Sequence, residues 1–188
     1  MRIQYADGTL VKVPERYKDN DEVLEKLLPL TDVMGTGHHA AVCADVEAGD
    51  TAVVIGDGAV GLCAVAASKR LGAERIIAVG HHEDRLEVAR EMGATDVVSS
   101  KGEEAVEEVL ELTNGGANHV LECVGAQSAL ETAAHIVRPG GSIGYVGVPH
   151  LEDPEFINDL FVKNVNLEGG PAPVREYIEE LMEDVLQG

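Results

Sequence analysis

The stretch TAVVIGDGAVG at residues 51–61 constrains this chain most, because an apolar run of strand type meets three glycines there, Gly56, Gly58 and Gly61. In that spacing the first glycine permits a tight turn out of the strand. The second lets the backbone approach a pyrophosphate, and the third lets the following helix pack closely on the sheet. Ala59 and Val60 open that helix, whose unpaired N–H groups and dipole favour an anion at its N-terminus. Three spaced glycines alone are common in turns. Here Val53, Val54 and Ile55 supply the preceding strand and residues 59–71 read as the following helix, so the stretch predicts a dinucleotide-binding turn.

From Asp50 onward apolar strand-like runs alternate with helical ones. Strands are expected at residues 51–55, 75–79, 96–98, 119–122, 142–146 and 164–167. Helices are expected near 59–71, 83–92, 102–112, 126–137, 154–162 and 173–186, with Gly72, Gly93 and Gly140 at helix C-caps. This alternation predicts an α/β fold, a doubly wound six-stranded parallel sheet of the Rossmann type, with its ligand beyond the strand C-termini at the switch point. Upstream, residues 21–28 read as a short acidic helix, and Thr31 and Asp32 offer an N-cap for a small-residue helix over 33–46. Residues 1–20 carry two β-like pieces, 2–5 and 9–13, around the turn pair Asp7-Gly8. A β-hairpin is expected there, and because a lone hairpin is barely stable in water it reads as the edge of something larger. The expected division is therefore 1–20 and 21–188.

The formal net charge of −20 on 188 residues limits the partners. Such a surface repels nucleic-acid phosphates and anionic lipid, which argues against a nucleic-acid or membrane-surface role. Thirty-four acids against six lysines suggest a halophilic source, where salt screens the self-repulsion. Three cysteines, Cys43, Cys63 and Cys123, lie in apolar stretches without a CxxC spacing and read as reduced core residues. With no signal-like or membrane-spanning run in the sequence, a cytoplasmic location is expected.

The second expected strand, RIIAV, ends at Gly80, nineteen residues after Gly61, where a carboxylate commonly binds the adenosine ribose. Glycine there, followed by His81, His82 and, a turn later, Arg85, makes room for a 2′-phosphate and supplies donors, so NADP is favoured over NAD. In the alternative, Gly80 is only a turn residue, the histidines cap the next helix, and Glu83 or Asp84 takes the ribose. Two further turns, Glu122-Cys123-Val124-Gly125 and Val146-Gly147-Val148-Pro149, emerge at the same sheet edge, where small residues can contact a nicotinamide, although ordinary strand-ending turns look similar.

Further residues carry a family resemblance. Thr36-Gly37-His38-His39-Ala40-Ala41, Gly49-Asp50, VVIGDGAVGL, RLGAERIIAVG, Arg85-Leu86 and AREMGATDVV closely resemble, in order and spacing, the cofactor domain of zinc-dependent medium-chain alcohol dehydrogenases, over about residues 30–170. The resemblance implies hydride transfer between an alcohol and a nicotinamide cofactor. It places Thr36, Cys123 and Val148 around the nicotinamide and makes a homo-oligomer expected, paired through the sixth strand. It also implies a catalytic zinc, whose third family ligand lies four residues before the Thr-Gly pair, here Asp32. A carboxylate is an acceptable zinc ligand, and an N-cap role for Asp32 stands equally. The family's other two zinc ligands, its four-cysteine lobe and its proton-relay residues have no counterpart in this sequence. The chain is therefore expected to be an excised cofactor domain that binds NADP without turning it over and does not itself hold zinc.

Adjacent residues on a helix point about 100° apart, so His38 and His39 are expected to pack or line a pocket rather than chelate. His119, His135 and His150 have no carboxylate or cysteine at useful sequence spacing and read as structural. Two alternatives remain open: a zinc-free quinone or enoyl reductase of the same superfamily, and a non-catalytic dinucleotide-sensing domain.

Overall fold

The computed structural model describes residues 2–151 and 155–187. Its centre is a parallel six-stranded sheet in the order β3-β2-β1-β4-β5-β6, with β1 Thr51–Ile55, β2 Arg75–Val79, β3 Asp96–Val98, β4 Ala117–Glu122, β5 Val137–Tyr145 and β6 Asn166–Gly169. The chain winds outward from β1 to β3, then returns to place β4 beside β1, so the order reverses between these central strands. Here Ile55 pairs with Val79 on one side and Glu122 on the other. Thr51–Ile55 and Arg75–Val79 are buried apart from their first residues, as a strand covered on both faces requires.

The helices in chain order are α1 Ala6–Thr9, α2 Asp21–Leu27, α3 Val33–Cys43, α4 Ala59–Arg70, α5 Glu83–Met92, α6 Glu103–Leu112, α7 Gln127–Ile136, α8 Phe156–Lys163 and α9 Val174–Gln187. Two cores follow from the winding. One side of the sheet joins Val53, Ile77, Val120 and Ile143 to residues of α6, α7 and α8. The other joins Val54, Ile76 and Leu121 to α3, α4 and α5. Small residues allow close crossings: a Cβ on Gly37 of α3 would lie 2.6 Å from the Ala64 backbone nitrogen of α4. A third cluster gathers Leu27, Leu30, Leu181 and Met182 between α2 and α9. Among the described residues no helix is long and apolar enough to cross a membrane.

Most expected elements appear within a few residues, and three differ. The hairpin at residues 1–20 does not form; Met1 lies outside the described residues. The amides of Gly8 and Thr9 bond to the Tyr5 carbonyl at 2.8 and 3.0 Å, making the single turn α1, and Glu15–Tyr17 forms a 3₁₀ turn. With no sheet edge pairing them, two short β pieces gain little. Val11 and Val13 instead pack against the cluster between α2 and α9. Strand β5 starts at Val137, directly after α7, which places Gly140 inside a strand rather than at a helix end. The carbonyls left unpaired at that abrupt junction are met by the Lys163 ammonium, which donates to Ala134, His135 and Val137 at 2.7, 2.9 and 3.1 Å. Finally, α8 closes on Asn164 in a left-handed conformation, which delays β6 to Asn166. The expected helix start at residue 154 lies outside the described residues.

Candidate functional site

The first residue after each central strand still joins the ladder. Gly56 N–H donates to the Val79 carbonyl at 2.9 Å, Gly80 N–H to Val98 at 3.0 Å, and Cys123 N–H to Ile55 at 3.0 Å. Gly56, Gly80 and Cys123 therefore stand side by side at the C-terminal edge of the sheet, at its switch point. A cavity of about 800 Å³ opens there, and its walls include Gly56, Gly80, His81, His82, Val124 and Lys101.

The glycine-rich turn fits a pyrophosphate on its own geometry. Gly56 has φ +114°, a conformation that suits glycine. Gly58 is the N-cap of α4 and a Cβ there would meet nothing within 4 Å, so its backbone faces open space. At Gly61 a Cβ would fall 1.9 Å from the Gly56 carbonyl oxygen, so this glycine lets the first turn of α4 seat on the turn itself. Ala59 and Val60 complete that turn, and no side chain caps its amides.

Within the same turn, between Gly56 and Gly58, stands Asp57, which sequence reasoning missed. Its Oδ2 accepts from the backbone N–H of His81 at 2.7 Å and of His82 at 2.8 Å, and lies 2.9 Å from Nδ1 of the His82 ring. Arg85 Nη1 lies 3.6 Å from Oδ1. Burial raises the carboxyl's pKa, but these hydrogen bonds outweigh it and hold it at about 2. His82 occupies the N-cap position of α5, yet its side chain makes no capping bond and turns to Asp57 instead. The expected gap after β2 is thus filled: a Cβ on Gly80 would lie 2.6 Å from Asp57 Cβ. Asp57 is visible in the sequence as the first variable position of the glycine motif, but only the pairing of β1 with β2 brings it against Gly80.

The two turns expected near a nicotinamide meet through Glu122. Its backbone carbonyl accepts from the N–H of Val146 and of Gly147 at 2.9 and 3.2 Å. Its Oε1 accepts from the N–H of Val124 and of Gly125 at 2.8 and 2.7 Å. The side chain is fully buried, Oε2 has no hydrogen-bond partner among the described residues, and burial raises the carboxyl's pKa although the two amides oppose it. Val124, which lines the cavity, and Val148 stay exposed, whereas burial pushes the Cys123 thiol up and keeps it protonated.

Thr36 and Asp32 do not line the cavity. They lie at the start of α3, where the Thr36 hydroxyl donates to the Asp32 carbonyl at 3.0 Å and sits 3.3 Å from its Oδ1. Asp32 holds the N-cap position without a side-chain capping bond, and its side chain is exposed. Among the described residues no group of three or more His, Cys, Asp or Glu side chains is placed to hold a metal.

The histidine pair behaves as packing. His38 is buried edge-on against the Tyr177 ring at 4.9 Å, and His39 Nδ1 lies 3.0 Å from the Tyr177 hydroxyl, which ties α9 to α3. His119 is structural, but a carboxylate does reach it through the fold: Nε2 lies 3.0 Å from Asp50 Oδ2 and Nδ1 2.6 Å from the Ala44 carbonyl. His135 lies 3.7 Å from Asp159. Of the three cysteines only Cys43 is buried; Cys63 and Cys123 are half-buried, and all three are free.

The family model described as "Zinc-binding dehydrogenase" matches residues 59–187 of this chain. The chain belongs to the zinc-binding dehydrogenase family. It is 35% identical to the NADP-dependent isopropanol dehydrogenase of Clostridium beijerinckii over 96% of its own length and 52% of that protein's. It is 37% identical to zinc-type alcohol dehydrogenase B of Aspergillus flavus, over 100% of this chain and 44% of the other. Among solved structures, alcohol dehydrogenase TADH from Thermus sp. ATN1 superposes with TM-score 0.86 at 31% identity, covering 98% of this chain and 52% of that one. Benzyl alcohol dehydrogenase from Acinetobacter calcoaceticus gives 0.83 at 34%, covering 97% and 51%. The chain thus spans about half the length of the curated relatives it matches. The likeness confirms the cofactor-domain resemblance and the doubly wound sheet together.

Proposed function

We propose that this zinc-binding dehydrogenase chain is the NADP(H)-binding domain of an alcohol dehydrogenase that transfers hydride between a small alcohol and a nicotinamide cofactor. The observation that carries the reading is the open N-terminus of α4 at the switch point, where Gly58 faces empty space and Gly61 seats the helix on the Gly56 carbonyl. In this reading Gly56, Gly58, Ala59, Val60 and Gly61 hold the pyrophosphate. Gly80, His81, His82 and Arg85 meet the adenosine end, while Thr36, Cys123, Val124, Val146, Gly147 and Val148 flank the nicotinamide. When bound, the nicotinamide supplies the hydride carrier and zinc a Lewis acid for the alcohol oxygen. Asp32, exposed beside Thr36, is the residue of this chain that would join the zinc shell.

The residues by themselves position and enclose. The small Gly125 and Gly147 let the two turns lie close together, and Glu122 braces both from within. NADP is favoured by the name of the Clostridium relative, whereas the donors at 81, 82 and 85 on which the sequence rests the same preference are engaged by Asp57. Cofactor binding without turnover is proposed for this chain alone. Titration calorimetry with NADP and NAD tests the reading on wild type and Gly58→Asp. Because the position is open, the variant should keep its melting temperature while losing affinity about tenfold or more, as a carboxylate meets the pyrophosphate. Undiminished affinity in a folded Gly58→Asp protein would overturn the site.

A further inference from the structure

We propose that Asp57 is the specificity-determining residue of the adenosine subsite: a carboxylate supplied by the glycine-rich turn, not by the end of β2, disfavours a 2′-phosphate there. This rests on the dinucleotide-binding reading above and goes beyond it: Asp57 sets how far the NADP preference proposed there is expressed.

The first support is spatial. A Cβ built on Gly80 would stand 2.6 Å from Asp57 Cβ and 2.7 Å from its Oδ2. Asp57 therefore occupies the volume that a side chain at position 80 would need. A carboxylate absent from the strand end in sequence is present there in space.

Hydrogen bonding supplies the second. Oδ2 is saturated by three donors, the amides of His81 and His82 and the His82 ring. They belong to the residues that the 2′-phosphate reading assigns to the cofactor. Oδ1 has only the guanidinium of Arg85, at 3.6 Å, and keeps capacity to accept from a ribose hydroxyl. A hydroxyl can donate to that oxygen; a phosphate, carrying between one and two negative charges and acceptor oxygens, cannot pair with it in the same way.

Charge is the third. Glu103 and Glu107 line the same cavity with Lys101, so Asp57 is not offset by a surplus of cations. Its side chain is only 11% exposed, which limits screening by solvent. The donors at 81, 82 and 85 are thus held in a neutralised cluster. Removing the Asp57 charge releases the His82 ring and Arg85 from their pairing and removes the repulsion together.

The test is the ratio of NADP to NAD affinity, measured by calorimetry on wild type, Asp57→Asn and Asp57→Ser, each checked for folding by circular dichroism. Asparagine keeps the shape and an oxygen for the two amides; serine is a smaller neutral acceptor that covers the case in which asparagine perturbs the loop. The ratio should move toward NADP by about tenfold or more in the folded variants, mainly through tighter NADP binding. A ratio within about twofold of wild type, with both cofactors bound, would overturn the role of Asp57 while leaving the cofactor site intact. A wild-type chain that binds neither dinucleotide would instead remove the underlying reading, and this inference with it.

Discussion

Replacing Glu122 by leucine should destabilise the chain by about 2–4 kcal/mol, and the size follows from which groups lose a partner. The carboxylate is fully buried and its Oε1 takes two backbone N–H groups, those of Val124 and Gly125. Leucine accepts nothing. The Gly125 amide then stays buried and unpaired, while the Val124 amide is partly relieved by solvent. An orphaned buried donor costs about 1–3 kcal/mol, and the second, half-exposed one less. For a domain of this size such a loss lowers Tm by about 5–10 °C, readable by calorimetry or circular dichroism. Glu122→Gln separates charge from hydrogen bonding, because its carbonyl still accepts both amides. Its NH₂ would meet no partner at the Oε2 position, much as the protonated acid's O–H meets none. The pH dependence has a definite sign. Burial raises the folded pKa above its ordinary 4.5, so the native state holds the proton longer than the unfolded chain. Wild-type stability therefore falls as pH rises from about 4.5 through the raised value, and the glutamine variant lacks that fall. A leucine variant melting within about 2 °C of wild type, or a glutamine variant with the same pH slope, would refute the view that Glu122 braces the turns after β4 and β5 from a desolvated site.

Other expectations follow from equally specific contacts. Gly61→Ala drives a methyl to 1.9 Å from the Gly56 carbonyl, so unlike Gly58→Asp it should lose both stability, by about 1–3 kcal/mol in urea melts, and cofactor affinity. Lys163→Met leaves the carbonyls at the α7–β5 junction unpaired and should cost about 2 kcal/mol in the same assay, with cofactor affinity unchanged. Asp57 has a lowered pKa, so its stabilising contribution is complete above about 4 and is lost as pH falls toward 2; acid unfolding of Asp57→Asn should lack that component. With a net charge of −20, thermal stability should rise steeply with added salt, and a Tm independent of salt would remove the halophilic expectation. Light scattering that finds only monomer would do the same for pairing through β6, the edge strand of the sheet.

The parts legible in the sequence are those governed by short-range chemistry. The alternation of apolar strand runs with helical ones placed the first three strands to the residue, because a strand buried on both faces admits few other patterns. The glycine spacing announced a tight turn with a helix seated on it for the same local reason. Where local pattern lacked a tertiary partner it misled: Thr9 and Val13 read as strand, but without an edge to pair with, the segment curls into a turn and its valines seek α2 and α9.

What only the tertiary structure decided concerns residues distant in sequence that share one desolvated space. Gly80 marks an absent carboxylate to any reader of the sequence, yet the register of β1 against β2 carries Asp57 into that place and turns two amides and an imidazole toward it. Glu122 looks like the polar end of an apolar strand, and burial between two turns makes it the brace of both. Local propensity and spacing set the elements because they depend on neighbours along the chain. The charge beside Gly80 depends on which strand ends come to lie side by side, and that is settled only when the sheet forms.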